Sequence, residues 1–272
     1  MQNHSISPFA MLAGLWRQRD LVLASVMREV FSRYRGSLMG ILWSFLNPLF
    51  MLMIYTFVFS GIFNARWEGN QHSRQEFSLI LFSGLIAYNL FAECIIRAPT
   101  IIITNQNFVK KVIFPLEILP LISLGSAIFH AFVSYIVWFF AYIMLIGTPP
   151  ATALYLPLVL IPLIFFTLGT SWLLSSLGVY LRDMAQFIGI LTTALMFVSP
   201  IFYPASALPE NFRFLIFINP LTPAIEQSRA VMYWGHPPNF TLLFWSWMAA
   251  GVIAWLGYAW FQKTRKGFAD VL

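Results

Sequence analysis

Long uncharged blocks alternate with short charged connectors along this chain, and the blocks predict its elements. Leu38 to Phe63 runs without an Asp, Glu, Lys or Arg, and Phe77 to Ile96 carries one charge, Glu93, near its end. Ile118 to Leu181 is wholly uncharged and is divided by the turn Gly147-Thr148-Pro149-Pro150 into blocks 118–146 and 154–181. Arg182-Asp183 separates these from 185–202, and a last block covers 240–261. About 20 consecutive apolar residues suffice for a helix to cross a bilayer. The expected fold is therefore all-α, a polytopic membrane protein with six transmembrane helices. Asn47-Pro48, inside the first block, reads as a kink whose freed carbonyl neighbouring helices would satisfy.

Two segments depart from that pattern. Asp20 to Arg35 has a helical period, with Val22, Leu23, Val26, Met27, Val30, Phe31 and Tyr34 on one face and Ser25, Arg28, Glu29, Ser32 and Arg33 on the other. An amphipathic helix of this kind lies in the membrane interface or packs on a protein neighbour, and the stripe fits both. Segment 204–239 carries prolines at 204, 209, 220, 223, 237 and 238, too many for a full crossing. Short re-entrant helices are expected there, inside the bundle or at a pore mouth. The domain division is then an interfacial segment 1–37, a six-span domain 38–261 with 204–239 as a gate, and a short basic tail 262–272.

Composition agrees. With 59% hydrophobic and 10% charged residues, too little polar surface exists to cover a water-soluble globule. The formal charge of +6 comes from basic residues flanking apolar blocks, where anionic lipid headgroups explain it better than nucleic acid. With six spans, Arg17, Arg19, Arg28, Arg33, Arg35, Arg97, Lys110, Lys111, Arg182, Lys263, Arg265 and Lys266 fall on one side. Arg66, Arg74, Arg213 and Arg229 fall on the other. That twelve-to-four bias places both termini in the cytoplasm. Cys94 is the one cysteine, so neither an intrachain disulfide nor a thiolate zinc site is expected. The N-terminal residues lack a basic n-region and a small-residue cleavage pattern, so no cleaved signal peptide is expected.

Catalytic groups are sparse. Neither a G-x-x-x-x-G-K-[ST] phosphate loop nor a G-x-G-x-x-G turn occurs, so the chain is not expected to hydrolyse ATP alone. Within or beside the spans stand only Glu93, Glu117, His130, Arg182 and Asp183, with no carboxylate pair and no histidine cluster. No catalytic or metal site is expected. Glu93 precedes Arg97 by four residues, the favourable order for an ion pair within one helix. His130 suits an interhelical hydrogen bond.

The residues also carry a resemblance. Arg33-Tyr34-Arg35-Gly36-Ser37-Leu38-Met39-Gly40, followed by Trp43, Asn47 and Pro48, resembles the start of the permease subunit of ABC-2-type polysaccharide exporters. Asn107-Phe108-Val109-Lys110-Lys111-Val112-Ile113-Phe114-Pro115-Leu116-Glu117 is similar to that family's signature between spans two and three, departing from it at Phe108 and Leu116. Tyr180-Leu181-Arg182-Asp183, Ser199-Pro200-Ile201, Leu208-Pro209 and Asn219-Pro220 resemble later family segments, and the Lys266-Gly267-Phe268-Ala269-Asp270 tail is most like lipopolysaccharide O-antigen exporters.

The resemblance implies a homodimer of this subunit with two copies of a separate ATPase that binds ATP and magnesium, and no cofactor on this chain. It implies a bacterial cytoplasmic membrane location and an undecaprenyl-diphosphate-linked polysaccharide as cargo. Asn107, Phe108, Lys110, Lys111, Phe114, Pro115 and Glu117 would couple to the ATPase, aided by the interface helix with Arg28, Arg33, Tyr34 and Arg35. Arg182 and Asp183 would hold a cytoplasmic turn, and Pro200, Pro204, Pro209 and Pro220 a periplasmic gate. A neutral glycan slides over aromatic faces without deep charge wells, so Trp43, Tyr88 and Phe91 are expected to line its path. Capsule or teichoic acid export is the near alternative. A membrane-embedded polyprenyl-phosphate transferase is the distant one, and it would need clustered charges and a metal site.

Overall fold

A computed structural model describes residues 7–62, 74–110, 114–207 and 209–272, and every regular element among them is helical. In chain order the α-helices are α1 (Pro8–Arg17), α2 (Arg19–Arg33), α3 (Trp43–Tyr55), α4 (Arg74–Arg97), α5 (Ile101–Thr104), α6 (Gln106–Lys110) and α7 (Ile118–Leu145). There follow α8 (Leu156–Tyr180), α9 (Met184–Val198), α10 (Arg213–Ile218), α11 (Thr222–Met232), α12 (Phe240–Thr264) and α13 (Phe268–Val271). Among the described residues five stretches are long and apolar enough to cross a membrane: Gly40–Phe59, Glu76–Thr104, Ile118–Leu145, Ala151–Tyr180 and Phe240–Val271. The first keeps Pro48 inside α3 and runs on through a π-helical stretch, Thr56–Ile62.

Block 185–202 is the exception to the expected six. It forms α9, which has 15 residues. At about 1.5 Å per residue it reaches roughly 22 Å, against a hydrocarbon core of about 30 Å. Its end is set locally: Ser199 turns to extended backbone ahead of Pro200, as a residue preceding proline must.

The bundle is built around α4, which is buried along most of its length against α7, α8 and α11. Helices α8 and α12 meet through small residues. A Cβ at Gly169 would overlap the backbone of Ile253 and Ala254, and one at Gly257 would overlap the backbone of Gly169. Such residues let two membrane helices approach to backbone contact. One end of the bundle gathers Glu117, Tyr180 and Thr264 beside the C-terminal helix α13. The other gathers the Thr152 hydroxyl, which donates to the Val231 carbonyl at 2.7 Å, and the Tyr233 hydroxyl, which donates to Glu76 at 2.7 Å.

The broad apolar stripe of α2 divides in two. Val22, Val26 and Val30 pack inward, Val26 filling the space left by the absent Cβ of Gly125 on α7. Leu23, Met27 and Phe31 stay exposed. The inward half of the stripe is taken up by the chain's own α7. The tail is not loose either: α12 continues to Thr264, and Phe268 is fully buried beside Tyr180 and Phe261.

Candidate functional site

A cleft of about 780 Å³ opens between the end of α2 and helices α3, α4 and α7. Its charged rim forms because α2 runs along α7 and turns one charged residue from each of two successive turns, Glu29 and Arg33, toward α4. Arg97 of α4 pairs with Glu29 of α2, and Arg33 of α2 pairs with Glu93 of α4. Each pair joins two helices, so the ion pair expected within α4 between Glu93 and Arg97 is replaced: α2, packed on α7, offers each charge a partner on another helix. His130 of α7 completes the cluster, its Nδ1 3.0 Å from Glu93 Oε2 and its Nε2 2.9 Å from the Tyr34 hydroxyl. If Nδ1–H donates to the carboxylate, Nε2 accepts from Tyr34, and every polar atom of the ring is used. His130 lies twelve residues, about 18 Å, into α7. At such a depth an unpaired charge would be costly, which accounts for the dense pairing. Burial raises the Tyr34 phenol above its usual range.

Away from this rim the cleft wall is aromatic and amide-bearing, with Trp43, Asn47, Tyr55, Tyr88 and Asn89. Of the expected path residues, Trp43 stands half open to the cleft. Tyr88 lines it and donates its hydroxyl to the Thr192 carbonyl of α9 at 3.0 Å. Phe91 is brought elsewhere: it is 4% exposed and stacks on Phe166 of α8 at 6.0 Å. One turn separates Tyr88 from Phe91, but the tight packing of α4 gives the two different neighbours.

The coupling segment lies at the end that holds the C-terminal helix α13. Phe108 and Phe114 stack on each other at 4.3 Å and are partly buried against the core, whereas Asn107 is exposed. Lys111 falls outside the described residues, and Lys110 is described only as the end of α6. Pro115 is half-buried, and Glu117 accepts from Arg265 at 2.8 Å while its carbonyl accepts from the Trp172 indole at 2.9 Å. The Tyr180 hydroxyl donates to the Thr264 carbonyl at 2.9 Å. The C-terminal segment is thereby a brace from α12 to α8 and to the start of α7. Arg28 and Arg35 are exposed, as are Arg182 and Asp183, and no ion pair joins the last two among the described residues.

Toward the opposite end, Arg229 of α11 is 1% exposed and ties the proline-rich segment to the core. Its guanidinium donates to the Pro200 carbonyl, to the Ile201 carbonyl at 2.5 Å, to the Ile80 carbonyl at 3.3 Å and to Glu226 at 3.0 Å. Burial pulls it down to about 10, with Glu226 opposing, so it stays cationic at neutral pH. Burial likewise raises the Glu226 carboxyl, against the pull of Arg229. Pro200 is buried, Pro204 half-buried, and Pro209 and Pro220 exposed. Arg229 is counted from sequence among the basic residues of the outer side; the fold instead closes around it. A lone arginine in the helical period Thr222–Met232, followed by Ala230, Val231 and Met232, was the available signal. The carbonyl partners, 28 to 149 residues away, had no signature in spacing.

No three His, Cys, Asp or Glu converge on a metal-sized space among the described residues. What the cleft offers is a polar rim and a hydrogen-bonding, aromatic wall.

Residues 20–233 match the profile of the ABC-2 type transporter family. Across nearly the whole chain the sequence is similar to the O-antigen export system permease protein RfbA of Klebsiella pneumoniae, 27% identical over 255 residues, 93% of this chain and 95% of that protein. RfbA of Myxococcus xanthus is 27% identical over 259 residues, 94% and 96% of the two chains. The polysialic acid transport protein KpsM of Escherichia coli is 24% identical over 262 residues, 93% and 96%.

Proposed function

Because the chain belongs to the ABC-2 type transporter family, we propose that it is the membrane-spanning permease of an ATP-driven polysaccharide exporter of the O-antigen type. The observation that carries this reading is similarity to O-antigen export permeases running the length of both chains, at 93% and 95% coverage. The cleft supports it: aromatic faces and amides suit a neutral glycan, which needs many weak contacts along its path. The cargo is an undecaprenyl-diphosphate-linked glycan moving from the cytoplasmic to the periplasmic side of a bacterial inner membrane. The chain works as a homodimer with two ATPase subunits, on which ATP and magnesium bind. The identity to the polysialic acid transport protein is 24%, slightly below the 27% to the O-antigen proteins, so capsule export is the second reading.

In this reading α9 is a sixth, shortened span, both termini are cytoplasmic, and α10 and α11 form the periplasmic gate, with Pro200, Pro204, Pro209 and Pro220 along it. The coupling contact is made by α6 and its flanks. The exposed Asn107 faces the ATPase, Lys110 and Lys111 belong to the same coupling segment, and Phe108, Phe114, Pro115 and Glu117 hold that surface in shape. Arg182 and Asp183, both exposed, contact the same partner.

The test is export in cells lacking the native gene. Trp43→Leu and Tyr88→Phe separate ring from hydroxyl: Trp43→Leu should lower surface polysaccharide with ATP hydrolysis kept, and Tyr88→Phe should keep the ring and most export. Full surface polysaccharide without this chain would defeat the reading. Normal export in Trp43→Leu would move the path elsewhere.

A further inference from the structure

One residue interrupts the burial of α4. From Phe77 to Ala92 every residue is buried except Asn89, which is exposed and lines the cleft of about 780 Å³. Asn47 of α3 is exposed on the same cleft, one helical turn beyond Trp43 and so on the same face of its helix. Neither amide has a hydrogen-bond partner among the described residues. The charged groups near them are already engaged: Arg33 with Glu93, Arg97 with Glu29, and His130 with Glu93 and Tyr34.

Depth makes these open amides informative. Asn89 stands thirteen residues after Glu76 and fifteen before Thr104, the middle of that span. An amide turned toward hydrocarbon at this level would lose its hydration and gain nothing in return. The cleft therefore holds a polar occupant and not acyl chains. Its chemistry follows from the groups on offer. An amide presents two N–H donors and one acceptor oxygen, a match for neighbouring hydroxyls that each donate and accept. The indole of Trp43, half open to the cleft, takes the flat C–H face of a ring. No free cation is offered, because both arginines are paired, so a carboxylate entering here would be desolvated without compensation.

Resting on the polysaccharide-export reading, we propose that Asn47, Asn89 and Trp43 form a subsite for one neutral sugar residue midway across the membrane. Trp43 stacks on the ring, the two amides bind its hydroxyls, and the pair sets the preference of this chain for a neutral glycan over an acidic one. Of the α4 side chains at this depth, Asn89 alone has its polar group turned to the cargo and left unused by the fold.

The experiment places the full chain in nanodiscs with Ser134→Cys, on the α7 wall of the cleft, and follows labelling by a water-soluble methanethiosulfonate; Cys94, 1% exposed, stays silent. Labelling is expected. A neutral tetrasaccharide of mannose or of galactose should slow it, and a tetramer of sialic acid at the same concentration should not. Asn89→Leu should raise the half-protecting concentration about fivefold, the worth of one net hydrogen bond, and Asn47→Leu combined with it should remove protection. The unfolding midpoint of Asn89→Leu should equal or exceed that of the parent, since the amide holds nothing in the chain. A lower midpoint would make Asn89 a structural residue and overturn the proposal. So would absence of labelling, which means acyl chains fill the cleft, and labelling that neither neutral sugar slows, which means water alone fills it. Equal slowing by neutral and acidic sugars, or protection unchanged in the double variant, would overturn it too. In all these cases, loss of surface polysaccharide on deleting the gene would leave the exporter reading standing, so the two fail separately.

Discussion

Arg229 concentrates more of the fold in one side chain than any other residue described. A guanidinium has five donors in a fixed fork, and here they reach carbonyls on two separate segments as well as Glu226. Arg229→Met would strand those buried carbonyls at about 1–3 kcal/mol each. Its thermal unfolding midpoint in detergent should fall well below wild type, with Arg229→Lys intermediate because an ammonium cannot span the same acceptors. A Met variant as stable as wild type would show that the carbonyls find other donors. The charged rim of the cleft makes a second prediction at this scale. Arg33→Glu and Glu93→Arg should each destabilise, and the double exchange should recover part of the loss, with a coupling of about 0.5–3 kcal/mol. Equal damage in single and double variants would mean that His130 and Tyr34, not the pair, hold α2. The sequence spacing favoured a Glu93–Arg97 pair within α4; the approach of α2 gave each charge a partner on another helix.

At the scale of elements, helix positions were legible wherever an uncharged block was long, since the cost of leaving backbone groups unpaired in lipid forces such blocks into helices. Blocks 118–146 and 240–261 became Ile118–Leu145 and Phe240–Thr264. Block 185–202 stopped at Val198 because Ser199-Pro200 ends the helix. Which faces meet was not legible, and α8 with α12 shows it. Gly169 and Gly257 touch backbone to backbone, whereas Gly251, six residues earlier on α12, has open space around it. Gly257→Val should separate the two helices and cost about 1–3 kcal/mol, read as a lower unfolding midpoint. Gly251→Ala should be neutral or stabilising by up to about 1 kcal/mol. If both substitutions had the same effect, the glycine contact would not be what holds α8 on α12.

For the whole molecule, the basic bias along the chain makes a topological prediction, and removing the buried Arg229 from the outer tally strengthens it. Cys94 is 1% exposed, so introduced cysteines can be read against a silent background. Glu210→Cys should react with an impermeant maleimide applied outside intact cells, and Lys266→Cys should react only after the membrane is opened. External labelling of Lys266→Cys would invert the orientation. What the sequence determined alone was the solvent and the class: long uncharged blocks in lipid form helices, and local motifs around Arg33–Pro48 and Asn107–Glu117 pointed to a permease family that residues 20–233 match. Both follow from neighbours along the chain. Tertiary structure alone decided that the stripe of α2 divides between protein and exterior, that Phe91 leaves the cleft that Tyr88 lines, and that Glu117 meets Arg265 across 148 residues. Each depends on which of several apolar faces a helix buries. In a chain where nearly every face is apolar, hydrophobicity cannot make that choice; small residues and the pairing of a few buried charges make it.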